Sequence, residues 1–409
     1  MSDRSTKCRS CGASNLTPVL ALGTMPLASR LLSVEELSVQ EPGYPLELVL
    51  CPACALAQIT HRVPPEEQAA GSVYLASFSE TMLRAARQLS SQIMASQRLR
   101  PTSLVVEIAS NDGYLLRNYR AAGIPVLGIE PVADVAEIAR RQHKIPTLCK
   151  FFTNSLASEL VGCGQPADVV HARNVLAHVA DPNDFVAGLH RLVKESGVVV
   201  IEVPYVKDLI DHVEFDMIYH EHQCYFSLTS LAALLSRHSL TVQDVERVPQ
   251  SGGSLRVLAG RRPMSSPRVQ RLLAEEMAWG VTRPEFYTGL IHRIERLRRE
   301  LTELLARLKA EGRRIVGYGA SAKSTTLLNY CGIGRDTVDF VVDRNTKKQG
   351  RYTPGTHLKV YSPDKLIEDR PDYVLLLSWN LAEEVLAQQA VYRQHGGRFI
   401  IPLPSLKVA

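Results

Sequence analysis

Two Cys-x-x-Cys pairs near the start of the chain constrain its fold more than any other feature. The first pair is Cys8 and Cys11, and the second is Cys51 and Cys54. Each pair can place two thiolates at one point, and together the pairs complete the tetrahedral set of four sulfurs that Zn²⁺ prefers. A closed four-thiolate site leaves no position for water or substrate. The spacing therefore predicts a structural zinc in a small N-terminal module; two unrelated redox-active or free pairs are the alternative.

The composition is that of an ordinary globular protein with a mild positive charge. A net charge of +5 over 409 residues suits an anionic small ligand, and it falls short of the dense basic face that nucleic acid requires. The polar N-terminus and the lack of a long apolar run predict neither a signal peptide nor a membrane span. Free thiols beside the paired cysteines indicate a reducing cytoplasm. The single cysteines are expected to be buried apolar residues: Cys149, Cys163, Cys224 and Cys331.

Apolar strands alternate with helix-like stretches over the rest of the chain. Continuous runs such as 104–108, 126–129 and 198–203 are typical of parallel strands covered by helices on both faces. The pattern starts again at 314–318. The sequence predicts an α/β protein with a zinc-binding module (1–68), a doubly wound Rossmann-like domain (69–265), a helical connector (266–312) and a second Rossmann-like domain (313–409). The clearest helix is expected at 285–312, with an apolar stripe of Leu290, Ile294, Leu297, Leu301, Leu304 and Leu308.

Acidic residues lie at the ends of the first two strands of the middle domain. Glu107 precedes a turn at 109–113, and Glu130 ends the next strand at a spacing that allows it to bind both hydroxyls of a ribose. The turn lacks the glycines that a pyrophosphate needs, and the paired acids suit a cationic ligand. The pattern predicts a site for S-adenosylmethionine; the alternative is that both acids only cap strands. The expected contacts are Glu107, Ala109, Asn111, Asp112, Gly113, Glu130 and Pro131.

The densest polar segment is Tyr219–Phe226. On an extended segment, His220 and His222 would point the same way and Glu221 the opposite way. His222 could then act as a general base, with a carboxylate or Tyr219 nearby to tune its pKa. The segment lacks the helical spacing of zinc-binding histidines, so metal binding is disfavoured; a polar run that only holds a loop together is the alternative. Further candidates are Tyr74, Asn174 and His178.

A glycine-rich turn begins the last domain. It reads GYGASAK from Gly317 to Lys323, follows a strand and opens a helix. Backbone N–H groups at a helix N-terminus, with the charge of Lys323, predict contact with a diphosphate or a sugar. A tight structural turn is the alternative, and Asp343 at the end of the next strand leaves a nicotinamide dinucleotide site open. The residues expected to contact this ligand are Gly317, Tyr318, Ala320, Ser321 and Lys323.

As a set, these motifs resemble the S-adenosylmethionine-dependent C-methyltransferases that act on nucleotide-linked keto-deoxysugars in antibiotic biosynthesis. The resemblance covers essentially the whole chain. It rests on the two cysteine pairs and on VVEIASNDGYLL, ARNVLAHV, IYHEHQCYFS, SGGSLRV and GYGASAKSTTLLNYCGI. It implies that the first two parts form the methyl-donor site and that the last domain holds much of the nucleotide-sugar site.

The resemblance also implies roles for individual residues. His222 matches the base that removes the proton next to the keto group, with Tyr219 and Glu221 in support. The resemblance also implies that Asn174 and His178 lie near the sugar. Tyr74, and Asn174 again, are expected to lie near the cofactor. Two stretches depart from the usual pattern: the chain reads YLASFS from Tyr74, and Ala109-Ser110 replaces a glycine-containing pair.

The chemistry of these groups is self-consistent. A C–H next to a ketone is acidic because its anion is an enolate, which is nucleophilic at carbon, and a positioned donor stabilises the enolate oxygen. The chemistry therefore predicts methylation at carbon, and the resemblance implies C-3 of a dTDP-4-keto-deoxysugar as its position. We expect a cytoplasmic monomer or small homo-oligomer. The alternatives are a C-methyltransferase of a non-sugar ketone, an O- or N-methyltransferase, an NAD-dependent oxidoreductase and a zinc-ribbon nucleic-acid-binding protein.

Overall fold

Three β-sheets organise the residues that the computed structural model describes, which are 5–63 and 75–409. The strands are β1 (Thr17–Met25), β2 (Tyr44–Leu50), β3 (Ala57–Ile59), β4 (Val105–Ile108), β5 (Val126–Ile129), β6 (Thr147–Leu148), β7 (Ala167–Arg173), β8 (Val193–Pro204), β9 (Cys224–Tyr225), β10 (Thr241–Val248), β11 (Ser254–Gly260), β12 (Ile315–Tyr318), β13 (Val341–Val342), β14 (Val360–Tyr361), β15 (Tyr373–Leu376), β16 (Arg398–Ile401) and β17 (Lys407–Val408).

Helices connect and cover these strands. The α-helices are α1 (Glu80–Ser96), α2 (Leu116–Ala121), α3 (Ala133–Arg141), α4 (Asn154–Gly162), α5 (Pro182–Leu192), α6 (Val206–Asp211), α7 (Leu228–Arg237), α8 (Pro267–Trp279), α9 (Leu290–Ala310), α10 (Ala322–Cys331), α11 (Lys365–Asp369), α12 (Ala382–Gln388) and α13 (Ala390–Gln394). Short 3₁₀ helices lie at Glu35–Ser38, Ala76–Phe78, Phe215–Met217, Gln250–Gly252, Pro284–Tyr287 and Trp379–Leu381.

The first sheet carries the cysteine cluster. It is antiparallel in the order β1-β2-β3-β9, so that its last strand comes from the middle of the chain. Two sulfur pairs, Cys8 with Cys54 and Cys11 with Cys51, lie 3.6 and 3.5 Å apart, and all four sulfurs lie within 4.8 Å of one another. Zn–S bonds of about 2.3 Å in a tetrahedron place sulfurs about 3.8 Å apart. The cluster therefore has the dimensions of a closed zinc site.

The second sheet has seven strands in the order β10-β11-β8-β7-β4-β5-β6. Strands β4 to β8 are parallel, as the apolar runs predict, and Val126–Ile129 has the predicted bounds. At one edge, β10 and β11 form an antiparallel hairpin instead, because only a short 3₁₀ turn joins them. The doubly wound arrangement is thus confirmed for the core of the sheet.

The third sheet has the order β14-β13-β12-β15-β16-β17 and is parallel except at β17. Helix α9 joins this part to the rest of the chain. One face of α9 is buried in an apolar core that also includes residues of β1, β2 and β12. The predicted stripe is confirmed except at one position, because Leu305 is buried where Leu304 was expected.

The prediction that all four single cysteines are buried is wrong for two of them. Cys224 and Cys331 are buried, as expected, but Cys149 and Cys163 are exposed, since they follow β6 and α4 in surface loops. Among residues 5–63 and 75–409, no helix combines the length and the apolar character needed to cross a bilayer.

Replacing Cys51, a fully buried member of the cysteine cluster, tests the structural role of the zinc. We expect Cys51→Ser to lower the zinc content and to lower the melting temperature by about 5 °C or more, because metal binding contributes to folding. Elemental analysis and a thermal melt measure both. The control is Cys163→Ser, which removes an exposed thiol and should change neither the zinc content nor the melting temperature. A Cys51→Ser protein with a normal melting temperature would contradict a structural metal.

Candidate active site

The turn after β4, residues 109–113, has a strained backbone. Ala109 and Asn111 have φ of 54° and 51°, a region that costs a non-glycine residue about 1–2 kcal/mol. Such strain is typical of functional sites, where surrounding contacts impose it. The turn lies at the carboxyl edge of the sheet, which is where ligands bind in open α/β folds.

Glu130 is fixed against this turn from the neighbouring strand. Its two carboxylate oxygens accept hydrogen bonds from the backbone N–H groups of Asn111 (3.0 Å) and Val132 (2.9 Å). Burial raises the pKa of this carboxyl group, and the two backbone donors oppose the rise. Each oxygen keeps a second lone pair, so the group can still accept hydrogen bonds from a ligand.

Three buried oxygens of the same edge fit a ligand that carries donors or positive charge. Within the described part of the chain, Oε2 of Glu107, Oδ1 of Asp112 and Oδ1 of Asn174 have no hydrogen-bond partner. Burial raises the pKa of Glu107 well above its ordinary value, although the guanidinium of Arg173 opposes the rise. Buried polar atoms are normally paired, so these oxygens are consistent with a bound cation such as the sulfonium cofactor.

The segment before α1 docks on the turn. The backbone N–H of Ala76 donates to Oδ1 of Asn111 (2.9 Å), and that of Ser77 donates to Oδ2 of Asp112 (3.3 Å). Tyr74, predicted to lie near the cofactor, falls outside the described residues.

The polar segment that contains His222 is a turn and not an extended strand. The N–H of His222 donates to the carbonyl of Tyr219 (3.0 Å), which places the two side chains on the same side. Their rings stack at a centroid distance of 4.1 Å. The expectation that His220 and His222 point the same way is therefore wrong. His220 instead contacts the first sheet, where its Nε2 lies 3.1 Å from the carbonyl of Pro45.

The tautomer of His222 follows from its partners. Nδ1 lies 3.0 Å from the carbonyl of Met217, which can only accept, so Nδ1 carries the proton in the neutral ring. Nε2 then accepts from the hydroxyl of Tyr219 at 2.8 Å. This unprotonated nitrogen is the atom that a general base requires.

Burial keeps both histidines of the site neutral. The rings of His178 and His222 lie 4.6 Å apart and nearly perpendicular. Burial lowers the pKa of His178 to about 4, against a hydrogen bond to the backbone of Glu221. Burial, and then the neighbouring His178, lower the pKa of His222 well below 6.5. A neutral, unprotonated imidazole at pH 7 can accept a proton.

The side chain of Glu221 does not contact the ring of His222. Its Oε1 accepts from the backbone N–H of Ser29 (2.7 Å), and burial raises its pKa. Glu221 therefore joins the first sheet's module to the turn, while its role in catalysis stays a prediction.

The glycine-rich turn after β12 faces the same region. Ser321 caps α10, and the carbonyl of Ile218 accepts a hydrogen bond from Thr326 of that helix (3.2 Å). The ammonium of Lys323 binds Oδ1 of Asn380 and lies 5.3 Å from the ring centroid of Trp379. Burial lowers the pKa of Lys323, and the charges of Asp216 and Glu214 oppose this.

Sequence reasoning missed a buried acid at this junction. Asp216 is fully buried, and its Oδ2 accepts from the indole N–H of Trp379 (2.7 Å). Burial raises the pKa of Asp216 to about 6, against the charge of Lys323. Asp216 lies outside any periodic pattern, although Trp379 is one of only two tryptophans in the sequence and could have drawn attention.

Asp343 closes the glycine-rich turn itself. Oδ2 accepts from the N–H of Ala320 (2.8 Å) and from the ammonium of Lys348 (3.2 Å), while Oδ1 accepts from the N–H of Asn345 (2.8 Å). Because this carboxylate is already paired with a lysine, it is poorly suited to bind a nicotinamide ribose.

Comparisons with known proteins show the family of this chain. Family models match over almost the full length: "Putative zinc binding domain" at 8–68, "Methyltransferase domain" at 55–245 and "C-methyltransferase C-terminal domain" at 249–404. A relative is the C-methyltransferase NovU of Streptomyces niveus, which is 34% identical over 98% of this chain and 96% of its own.

Solved structures of methyltransferases are similar to part of the chain. The magnesium protoporphyrin IX methyltransferase of Synechocystis is 14% identical, with 44% of this chain and 79% of that chain covered and a TM-score of 0.34. An S-adenosylmethionine-dependent methyltransferase of Clostridium acetobutylicum is 10% identical, with 45% and 92% covered and a TM-score of 0.36.

Replacing Glu130 tests the donor site. We expect Glu130→Ala to weaken the binding of S-adenosylhomocysteine by about tenfold or more, because hydrogen bonds to a charged group are among the strongest in proteins. Titration calorimetry measures the affinity. Glu137→Ala, which removes a half-exposed acid on the next helix, should leave it unchanged. Equal affinities of the Glu130→Ala and wild-type proteins would contradict the prediction that Glu130 binds the ribose of the cofactor.

Proposed function

The chain belongs to the family of S-adenosylmethionine-dependent C-methyltransferases, and we propose that it methylates a nucleotide-linked keto-deoxysugar. The methylated atom would be the carbon next to the ketone, at C-3 of a dTDP-4-keto sugar. The observation that carries the proposal is the neutral Tyr219–His222 pair, which is buried between the donor edge of the second sheet and the glycine-rich turn of the third.

The pair supplies the base that enolate formation needs. When the hydroxyl of Tyr219 turns its proton away from Nε2 of His222, that nitrogen takes the proton from the substrate carbon, while the Nδ1–H group stays hydrogen-bonded to the carbonyl of Met217. The electron pair of the broken C–H bond moves into the enolate. Because burial disfavours a lasting imidazolium, the proton must later leave to solvent.

Stabilisation of the enolate oxygen requires a donor near the pair. The hydroxyl of Tyr219, the ring of His178 and the amide of Asn174 are the candidates, since they lie on segments that meet at this point. The N–H of Gln223, next to His222, donates to the carbonyl of Ala177, next to His178, at 2.7 Å. A preorganised donor in a site with little water contributes several kcal/mol to such steps.

The family's cofactor supplies an electrophilic methyl group when bound. The residues of this chain that would hold it are Glu107 and Asp112, which have unpaired buried oxygens, together with Asn111 and Glu130. The negative charge of the three acids, Glu107, Asp112 and Glu130, suits a sulfonium and an ammonium. Placing the carbanion in line with the methyl group then accounts for most of the remaining rate.

Binding of the nucleotide part is assigned to the third sheet. Helix α10 begins at the glycine-rich turn, with Ser321 as its cap and Lys323 at its second position. This arrangement suits a diphosphate. The domain limits at residues 68, 265 and 312, the cytoplasmic location and the monomeric or small oligomeric state belong to the same proposal.

Loss of the base tests the reaction. With a dTDP-4-keto-deoxysugar in deuterated water, wild type should exchange the hydrogen next to the ketone and, with S-adenosylmethionine, add one methyl group at carbon. His222→Ala should lose both, because the proposed proton acceptor, Nε2 of His222, is removed, while the variant still binds S-adenosylhomocysteine. Mass spectrometry measures exchange and product.

The control for this experiment is His292→Ala, since His292 is an exposed histidine of α9, and this variant should behave as wild type. Exchange retained in His222→Ala would rule out the base role. Wild type that binds the cofactor but acts only on a non-sugar ketone would refute the substrate class alone.

The low pKa of His222 fixes the sign of the pH dependence. A base must be unprotonated, so activity should fall only when the pH drops below the lowered pKa of the ring. We expect the acid limb of kcat/KM to lie below pH 6.5, the ordinary histidine value. An acid limb above pH 6.5 that disappears in His222→Ala would contradict the neutral, buried ring.

A further inference from the structure

The carboxylate of Glu384, on α12 beside the third sheet, lies at the N-terminus of α1, which packs beside the second sheet. It accepts hydrogen bonds from the hydroxyl of Ser79 (2.9 Å) and from the backbone N–H groups of Thr81 (2.9 Å) and Glu80 (3.2 Å). The first N–H groups of a helix have no partner within it, so Glu384 acts as a cap supplied from a distant part of the chain.

Glu384 is itself held in place. Its side chain is only 9% exposed, Oε1 accepts from the amide of Gln388 one turn later (3.0 Å), and Nη1 of Arg344 lies 3.6 Å away. Burial alone would raise the pKa of Glu384, but the donors of α1 hold it below its ordinary value. A carboxylate that stays charged at the positive end of a helix is favourably placed.

The capped residues are continuous with the segment on the β4 turn. Ala76 and Ser77 donate their backbone N–H groups to the side chains of Asn111 and Asp112 in that turn. Residues 76–81 are therefore attached at one end to the predicted donor site and at the other end to α12.

We propose that Glu384 is a positioning residue that holds residues 76–81 against the β4 turn. Through it, the part of the chain that would bind the nucleotide sugar controls how tightly the donor is retained. This inference rests on the proposed placement of the donor at the β4 turn, because only there would the segment contact the cofactor.

Binding of S-adenosylhomocysteine to the full-length protein tests the inference, with titration calorimetry well below the melting temperature. We expect Glu384→Ala to weaken binding by roughly threefold to tenfold, the size of a lost helix cap. Glu384→Gln keeps one accepting oxygen, so its affinity for S-adenosylhomocysteine should fall less than that of Glu384→Ala. The matched control is Glu383→Ala, because Glu383 is the preceding, exposed acid on the same helix.

Hydrogen exchange of the peptide that covers residues 75–83 separates positioning from general stability. Exchange should be faster in Glu384→Ala and unchanged in Glu383→Ala. Unchanged affinity and exchange in Glu384→Ala would overturn the inference, as would an equal loss in both variants. A lower melting temperature with normal affinity would show a role in stability only and would also overturn it. Wild type that fails to bind S-adenosylhomocysteine would refute the donor site itself.

Discussion

The pairing of β3 with β9 is the interaction on which the rest of the site depends. Strand β3 begins three residues after Cys54, and its residues Ala57 and Gln58 pair with Tyr225 and Cys224. Strand β9 in turn begins two residues after His222. A zinc ion that fixes the cysteine cluster therefore fixes, through a few backbone hydrogen bonds, the turn that carries the proposed base.

Burial changes the pKa values of the ionisable groups at both proposed sites, the donor edge of the second sheet and the turn of Tyr219 and His222. At the second sheet, the buried acids would gain from a bound cation, and the proposed sulfonium cofactor would offset their desolvation. At the turn of Tyr219 and His222, burial keeps the imidazole neutral, so that its Nε2 is free of a proton at pH 7. The buried contact between Asp216 and Trp379 joins the third sheet to the same turn. Contacts from all three sheets thus meet at the buried turn of Tyr219 and His222.

Patterns that repeat along the chain could be predicted from the sequence. The cysteine pairs, the apolar strands such as Val126–Ile129 and the stripe of α9 each follow a fixed spacing. The structure confirms them, except that Leu305 takes the place of Leu304 in the stripe. The donor-edge residues followed from the position of acids at strand ends, and their contacts with the cofactor remain a prediction.

Contacts that depend on tertiary structure could not be predicted. The turn at 219–222 has no periodic signal, so His220 was placed beside His222 instead of against Pro45. The cap by Glu384 joins residues that are about 300 positions apart, and nothing local marks it. The exposure of Cys149 and Cys163 likewise depends on which loops the fold leaves at the surface.

The protonation state of His222 tests the central claim most directly. Nitrogen-15 NMR of labelled histidines, with His222→Gln used for assignment, distinguishes the neutral tautomers from the imidazolium. The account predicts a neutral ring at pH 7, protonated at Nδ1 and free of a proton at Nε2. An imidazolium at that pH, or a proton on Nε2 with Nδ1 bare, would contradict it.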